Sequence, residues 1–376
     1  MLKTIRPLFL IAAGVAAVSP ISLCAQTSNS TGAVFVMTNA AAANQVIAYD
    51  RAADGSLSYA GSYETGGRGS GGVNDPLVSQ GSLTLSQDKS LLFAANAGSG
   101  DISVFAVTPW GLELIDRAPS GGAMPVAIAE HSSLVYVLNQ GGPGSVVGFR
   151  LNFGGQLTQI PNSTKYLTAT DTVGSSIAIS PNGQELVVTE RGANKFDAFH
   201  INSNGALGSI VTSASLGAGA FALTFAPNGA AIVSETGVAG GTNASTISSY
   251  SISASGVFTA ISQSVPTLGN ANCWNAVTPN GKLAYASNAG SSSLAGFSIG
   301  ANGALTAVGE TIVGDNPAGA TNLDIAISAD GKYLYTLNSG AGDIGEFAIQ
   351  QSGTLNYLGA AGEFPKFTGF NGIAAY

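Results

Sequence analysis

The sequence predicts an all-β chain: a seven-bladed β-propeller of four-stranded blades, its ring closed by pairing of the N- and C-terminal strands. Three observations carry this. A strand–turn–strand phrase recurs six times, an aromatic-to-glycine spacing recurs seven times, and the chain ends resemble the two halves of one further hairpin. A repeat of this kind decides the fold before any single residue does.

The first repeat is a hairpin whose turn reads Pro-Asn-Gly or Ala-Asp-Gly. It occurs as "IAISPNGQELVVTERG" at 177–192, "LTFAPNGAAIVSETG" at 223–237, "AVTPNGKLAYASNAG" at 276–290 and "IAISADGKYLYTLNSG" at 325–340. Two worn copies precede them, "LTLSQDKSLLFAANAG" at 83–98 and "AIAEHSSLVYVLNQG" at 127–141. Apolar and β-branched runs on both sides of a short polar turn are a hairpin signal.

The second repeat follows each copy. An aromatic residue stands six positions before a glycine at Tyr49/Gly55, Phe105/Gly111, Phe149/Gly155, Phe199/Gly205, Tyr250/Gly256, Phe297/Gly303 and Phe347/Gly353. The aromatic suits the half-buried face of a strand, and the glycine suits a turn with positive φ. Two hairpins per unit make the four strands of a propeller blade. The first hairpin is lacking once. "GAVFVMTNAA" at 32–41 reads as its second strand and "FNGIAAY" at 370–376 as its first. Joining them closes the ring and removes the exposed sheet edges. Second strands then end at Asn39, Asn96, Asn139, Glu190, Glu235, Asn288 and Asn338, 43 to 57 residues apart. No linker or composition shift interrupts the pattern, so residues 26–376 form one domain.

The N-terminus has the grammar of a secretory signal: Lys3 and Arg6, the apolar "PLFLIAAGVAAV", then "SPISLCAQ". Residues 1–25 are expected to be removed, with cleavage after Ala25. Leu23 before Cys24 is a poor match to lipoprotein processing. The product is expected to be secreted or periplasmic. Its 11 Lys and Arg against 21 Asp and Glu give a net charge of −10, which argues against nucleic acid and anionic membrane as partners. No later apolar run is long enough to span a bilayer. Cys273 is the one cysteine left, so no intrachain disulfide is expected, and the chain is expected to be a monomer.

Topology places a site. The end of each second strand shares a face with the start of each first strand, around the central channel. Candidates there are Ser175, Ser176, Phe221, Asn272, Cys273, Trp274, Asn322 and Asp324 from first-strand starts, with the seven strand-end residues and Arg191. The glycine-rich connection "TGGRGSGGVNDPLVSQG" at 65–81 adds Arg68 and Asp75. The recurring asparagines also suit a plainer role, holding loop backbone at strand ends. Glu190 and Glu235 break that series, and two carboxylates with Arg191 in one funnel could position and polarise a ligand. Trp274 suits stacking on a sugar ring or filling a gap between splayed strands. Cys273 reads as a small buried hydrophobe.

Absences narrow the chemistry. His131 and His200, the two histidines, both belong to the turn face, so no Ser–His–acid triad can form in the funnel. No histidine cluster marks a zinc site, and no Gly-Lys-Ser/Thr loop or dinucleotide fingerprint occurs. Propeller axes offer carbonyls to calcium, but the sequence names no ligand set. No cofactor or metal is expected.

The units "YLYTLNSGAGDIGEFAIQQSGTL" and "LAYASNAGSSSLAGFSIGANGAL" resemble the seven-bladed lactonase-like propellers. That family includes propeller-type 6-phosphogluconolactonase and carboxymuconate cyclase. The resemblance spans 32–376 and implies the propeller fold. It also implies a funnel supplied with Arg and His by Pro-Arg-His at the starts of first strands. Here those positions hold Ser175 and Ser176, Phe221 and Ala222, Cys273 and Trp274, and Leu323 and Asp324. Glu190 matches the family's acidic strand end. Two readings follow. One is a non-catalytic propeller binding a small molecule, glycan or protein at the funnel, with Glu235, Trp274, Asn272, Asp324 and Arg68 as ligand-binding residues. The other is a lactone hydrolase or lactonising cycloisomerase that works through Glu190 and Arg191.

Overall fold

A computed structural model describes Met1, residues 30–168 and residues 173–376. The signal peptide expected over 1–25, including Cys24 and its cleavage point, therefore falls outside the described residues apart from Met1.

Seven antiparallel sheets form the blades, each running from the axis outward in the order first to fourth strand. Blade 1 combines both chain ends: Ile373–Ala375, Gly32–Met37, Gln45–Arg51 and Leu57–Glu64. Blade 2 is Leu83–Leu85, Leu91–Asn96, Asp101–Thr108 and Gly111–Pro119. In blade 3, Pro125–His131, Leu134–Asn139 and Ser145–Leu151 are followed by a broken fourth strand. Its pieces, Leu157–Gln159 and Lys165–Tyr166, pair with opposite ends of the third strand. Blade 4 is Gly174–Ile179, Glu185–Glu190, Lys195–Ile201 and Leu207–Ala214. Blade 5 is Ala220–Phe225, Ala231–Glu235, Thr246–Ile252 and Phe258–Pro266. Blade 6 is Asn272–Val277, Leu283–Asn288, Ser293–Ile299 and Leu305–Asp315. Blade 7 is Asn322–Ile327, Tyr333–Asn338, Asp343–Ile349 and Leu355–Ala361. The described residues include no helix long and apolar enough to cross a membrane.

Local chemistry explains each turn. In the four clear copies the glycine N–H donates to the residue three back: Gly183 to Ser180, Gly229 to Ala226, Gly281 to Thr278 and Gly331 to Ser328, each at 2.8 Å. Those glycines have φ of 68–89°. The glycines between third and fourth strands all lie in the left-handed region as well, from 78° at Gly155 to 116° at Gly111.

The core lies between blades. Phe93, Ile102 and Val104 of blade 2 pack with Val135, Val147 and Phe149 of blade 3, and the same contact recurs between blades 4 and 5 around Phe196 and Tyr250. The seven aromatics of the second repeat are all at most 4% exposed. They are buried outright rather than half-buried, because blades cover both sides of the third strand. Three tyrosines tie one blade to the next. Tyr136 donates to the Gly205 carbonyl at 2.8 Å, Tyr285 to Gly353 at 2.9 Å and Tyr335 to Gly55 at 2.9 Å.

Closure follows the predicted pairing. Ile373, Ala374 and Ala375 lie opposite Val36, Phe35 and Val34, and Tyr376 exchanges backbone hydrogen bonds with Ala33. The join is also packed: Val34 and Val36 are fully buried in a cluster with Ile373 and Ala375 of the closing strand and Tyr335, Leu337 and Ile344 of blade 7.

Candidate functional site

Six of the seven expected second-strand ends coincide with the observed ones; the first strand of that series stops at Met37, two residues before Asn39. All seven strand-end residues are fully buried. Several of their side chains reach into the connection that arrives from the preceding blade. Asn96 accepts from Thr65 Oγ1 at 2.7 Å and donates to Asp101 at 2.7 Å. Asn139 donates to the Ser120 carbonyl at 3.4 Å, and Asn338 donates to Asn316 at 3.1 Å.

Glu235 does the same work with a carboxylate. Its Oε1 accepts from Gly217 N at 2.9 Å, Ser248 Oγ at 2.8 Å and Ser215 Oγ at 3.2 Å, while Oε2 accepts from Thr246. Glu190 occupies the equivalent place in blade 4, with Lys195 Nζ 3.3 Å from its Oε2. Burial first, and then the neighbouring Asp197 carboxyl, push its pKa up to about 8 against the opposing pull of Lys195. Arg191 turns the other way. Its exposed guanidinium lies 5.9 Å over the Phe221 ring at the start of blade 5. Successive residues at a strand end face opposite sides, so Glu190 and Arg191 are sequence neighbours that do not share a chamber.

The channel itself is filled. The connection from blade 1 to blade 2 crosses the ring, and residues 77–80 sit on the axis. Gln140 Nε2 donates to the Leu77 carbonyl at 2.9 Å, and Ser79 Oγ donates to Val126 O at 2.8 Å. Gln80 pairs with blade 4 through Ser175 O at 2.9 Å and with blade 6 through both polar groups of the Asn275 backbone at 3.0 Å. Trp274 donates its indole N–H to Ser79 O at 2.9 Å and meets Phe221 edge-on at 5.1 Å. It forms a buried floor under the funnel rather than a platform at its mouth. Arg68 holds the connection by its backbone, accepting from Gly98 N at 3.0 Å, while its side chain is exposed. Asn272 donates to Thr246 O at 2.7 Å, away from the axis.

Beside the plug, between blades 6 and 7, lies a cavity of about 480 Å³. Asn74, Asp75, Cys273, Trp274, Ser291, Ser292, Thr321 and Leu323 are on its wall, with alanines and glycines of the facing loops. Asp75 Oδ1 accepts from Asn371 Nδ2 at 2.8 Å and from Val78 N at 3.1 Å. Burial pushes its pKa up to about 6, against those two bonds and the Arg191 charge. Behind it, Asp324 accepts from Ile325 N at 3.0 Å and Ile373 N at 3.3 Å, and burial pushes its pKa up to about 8. Burial also pushes the Cys273 thiol up, which keeps it in the unreactive protonated form.

Of the sequence candidates, Trp274, Cys273 and Asp75 thus meet at one cavity, with Arg191 and Asp324 within electrostatic reach. Glu190, Glu235, Asn272 and Arg68 stand apart from it. Asn74, Ser291, Ser292 and Thr321 were not singled out by the sequence; the one cue was the length of the 65–81 connection, since long ordered loops tend to carry sites. His131 contacts Gln87 and His200 contacts Glu185, both at the turn end of their blades. No three His, Cys, Asp or Glu side chains among the described residues come together to hold a metal.

No family model and no curated protein matches the sequence. Solved structures do match in shape. A putative 6-phosphogluconolactonase from Bacteroides fragilis is similar with a TM-score of 0.71 and 17% identity, over 93% of this chain and 99% of that one. A second putative 6-phosphogluconolactonase, from Bacteroides uniformis, gives 0.70 and 20%, over 92% and 100%. The periplasmic gluconolactonase PpgL of Pseudomonas aeruginosa gives 0.67 and 19%, over 90% and 98%. The chain therefore has the fold of the lactonase-like seven-bladed propellers, along its whole described length.

Proposed function

We propose that the protein is an exported lactonase-like propeller that binds a small hydroxylated molecule, without turning it over, in the cavity between blades 6 and 7. The composition of the wall supports this reading most directly: the polar Asn74, Ser291, Ser292 and Thr321 line, with the apolar Trp274 and Leu323, a space whose volume of about 480 Å³ is that of a small-molecule site. Export rests on the N-terminal sequence. The size of the space favours a small molecule over a protein as ligand.

Catalysis is not favoured by the same geometry. The acid that matches the lactonase pattern, Glu190, is fully buried beside Lys195, and its neighbour Arg191 points elsewhere. The test is an assay on gluconolactone-type and muconolactone-type substrates beside calorimetric titration with hydroxylated ligands. Binding without turnover is expected, with binding blocked by Ala318→Trp at the exposed cavity rim. Saturable hydrolysis lost at least about a hundredfold in Glu190→Gln would establish the lactonase instead.

A further inference from the structure

The charge on the cavity wall is one-sided. Of its lining residues only Asp75 carries a charge at neutral pH, and no Lys, Arg or His is among them. Asp75 Oδ1 is held by Asn371 and Val78, which fixes the carboxylate and leaves Oδ2 with no hydrogen bond from the described residues. Trp274, almost wholly buried, closes the base of the same cavity, so the carboxylate is the one strongly polar feature set against an apolar floor. The chain as a whole is acidic, which raises the local concentration of cations at such a cleft.

Resting on the cavity as the ligand site, we propose that its ligand is a small hydroxylated organic cation, an amine-bearing polyol or amino sugar, whose ammonium group pairs with Asp75. The hydroxyls of the ligand meet Asn74, Ser291, Ser292 and Thr321 at the cavity wall. An anionic sugar acid would instead bring its carboxylate against Asp75. Arg191 is the basic group whose charge reaches Asp75, and it competes with the ligand for that carboxylate from outside the cavity. Asp324, buried behind Asp75, and the protonated Cys273 thiol are the other titratable groups facing it.

Three six-carbon polyols that differ only at one end make the test: 1-amino-1-deoxysorbitol, sorbitol and gluconate. Each is titrated calorimetrically into the full chain at pH 7.5. The amine is expected to bind roughly tenfold or more tighter than sorbitol, the usual gain from a charge-assisted hydrogen bond, and gluconate weakest. Asp75→Asn should abolish the preference for the amine. Arg191→Ala, at an exposed side chain that leaves the fold intact, should strengthen amine binding several-fold. Lowering the pH from 7.5 to 5 should weaken the amine as Asp75 takes up a proton and leave sorbitol unchanged. Gluconate binding as well as the amine, an unchanged preference in Asp75→Asn, weaker amine binding in Arg191→Ala, or sorbitol binding that Ala318→Trp blocks while the amine does not bind would overturn the proposal. Failure of the site itself reads differently: all three polyols would then bind, or fail to bind, regardless of Ala318→Trp.

Discussion

At the scale of single residues, position along the strand decides what a carboxylate does. Glu190 and Glu235 replace an asparagine that elsewhere holds the incoming loop, and Glu235 accepts four bonds through its two oxygens, two of them from that loop and two from the third strand of its own blade. Asp75 and Asp324 are different: they stand at the plug and at the closing strand, where burial raises both. A carboxyl whose folded-state pKa lies above its unfolded value binds its proton more tightly when folded. Its stabilising contribution is complete below the unfolded value and is lost as the pH rises through the folded one. For Asp75, Glu190 and Asp324 that window runs from about pH 4 to the values near 6, 8 and 8. Thermal stability is therefore expected to fall by several degrees between pH 5 and pH 9 in melts at constant ionic strength. Asp324→Asn should flatten that slope; an equally steep fall in the variant would show that Asp324 is not part of it.

At the scale of elements, the hairpins were legible in the sequence and the plug was not. Turn glycines and strand-end residues repeat with the blade, so each copy supports the others, and Gly183, Gly229, Gly281 and Gly331 all adopt the conformation their turns require. The connection at 65–81 occurs once. Nothing periodic reveals that Leu77–Gln80 crosses to the far side of the ring, because the partners of Gln80 in blades 4 and 6 are 95 to 195 residues away. The site inherits that blindness. Trp274 and Asp324 could be placed near the axis by topology, but Asp75 gains its role only from being carried there. Glu190 was legible as an acid at a strand end, but its pairing with Lys195 comes from the register of the neighbouring strand, which the repeat does not mark. Gln80→Ala should cost about 2–4 kcal/mol in denaturant titrations, because it strands the Asn275 N–H and carbonyl on the axis. A loss under about 0.5 kcal/mol would mean that the plug is held by its apolar contacts alone.

At the scale of the whole molecule, the ring is a chain of interblade contacts with one non-covalent join, and that join borders the site. Asn371 bonds Asp75, Ile373 bonds Asp324, and the next residues pair with Phe35 and Val34. A chain ended at Pro365 should consequently melt far below the full chain and lose the plug's order with it; equal melting temperatures would contradict closure by the termini. The claim at the centre of this account is that the ligand occupies the space between the plug and blades 6 and 7. Hydrogen–deuterium exchange with and without saturating 1-amino-1-deoxysorbitol tests that most directly. Slower exchange is predicted in residues 74–75, 271–274, 289–292 and 318–323, the segments that wall the cavity. Protection centred instead on 190–197 or on the hairpin turns near 180–183 and 328–331, or no protection anywhere, would contradict it.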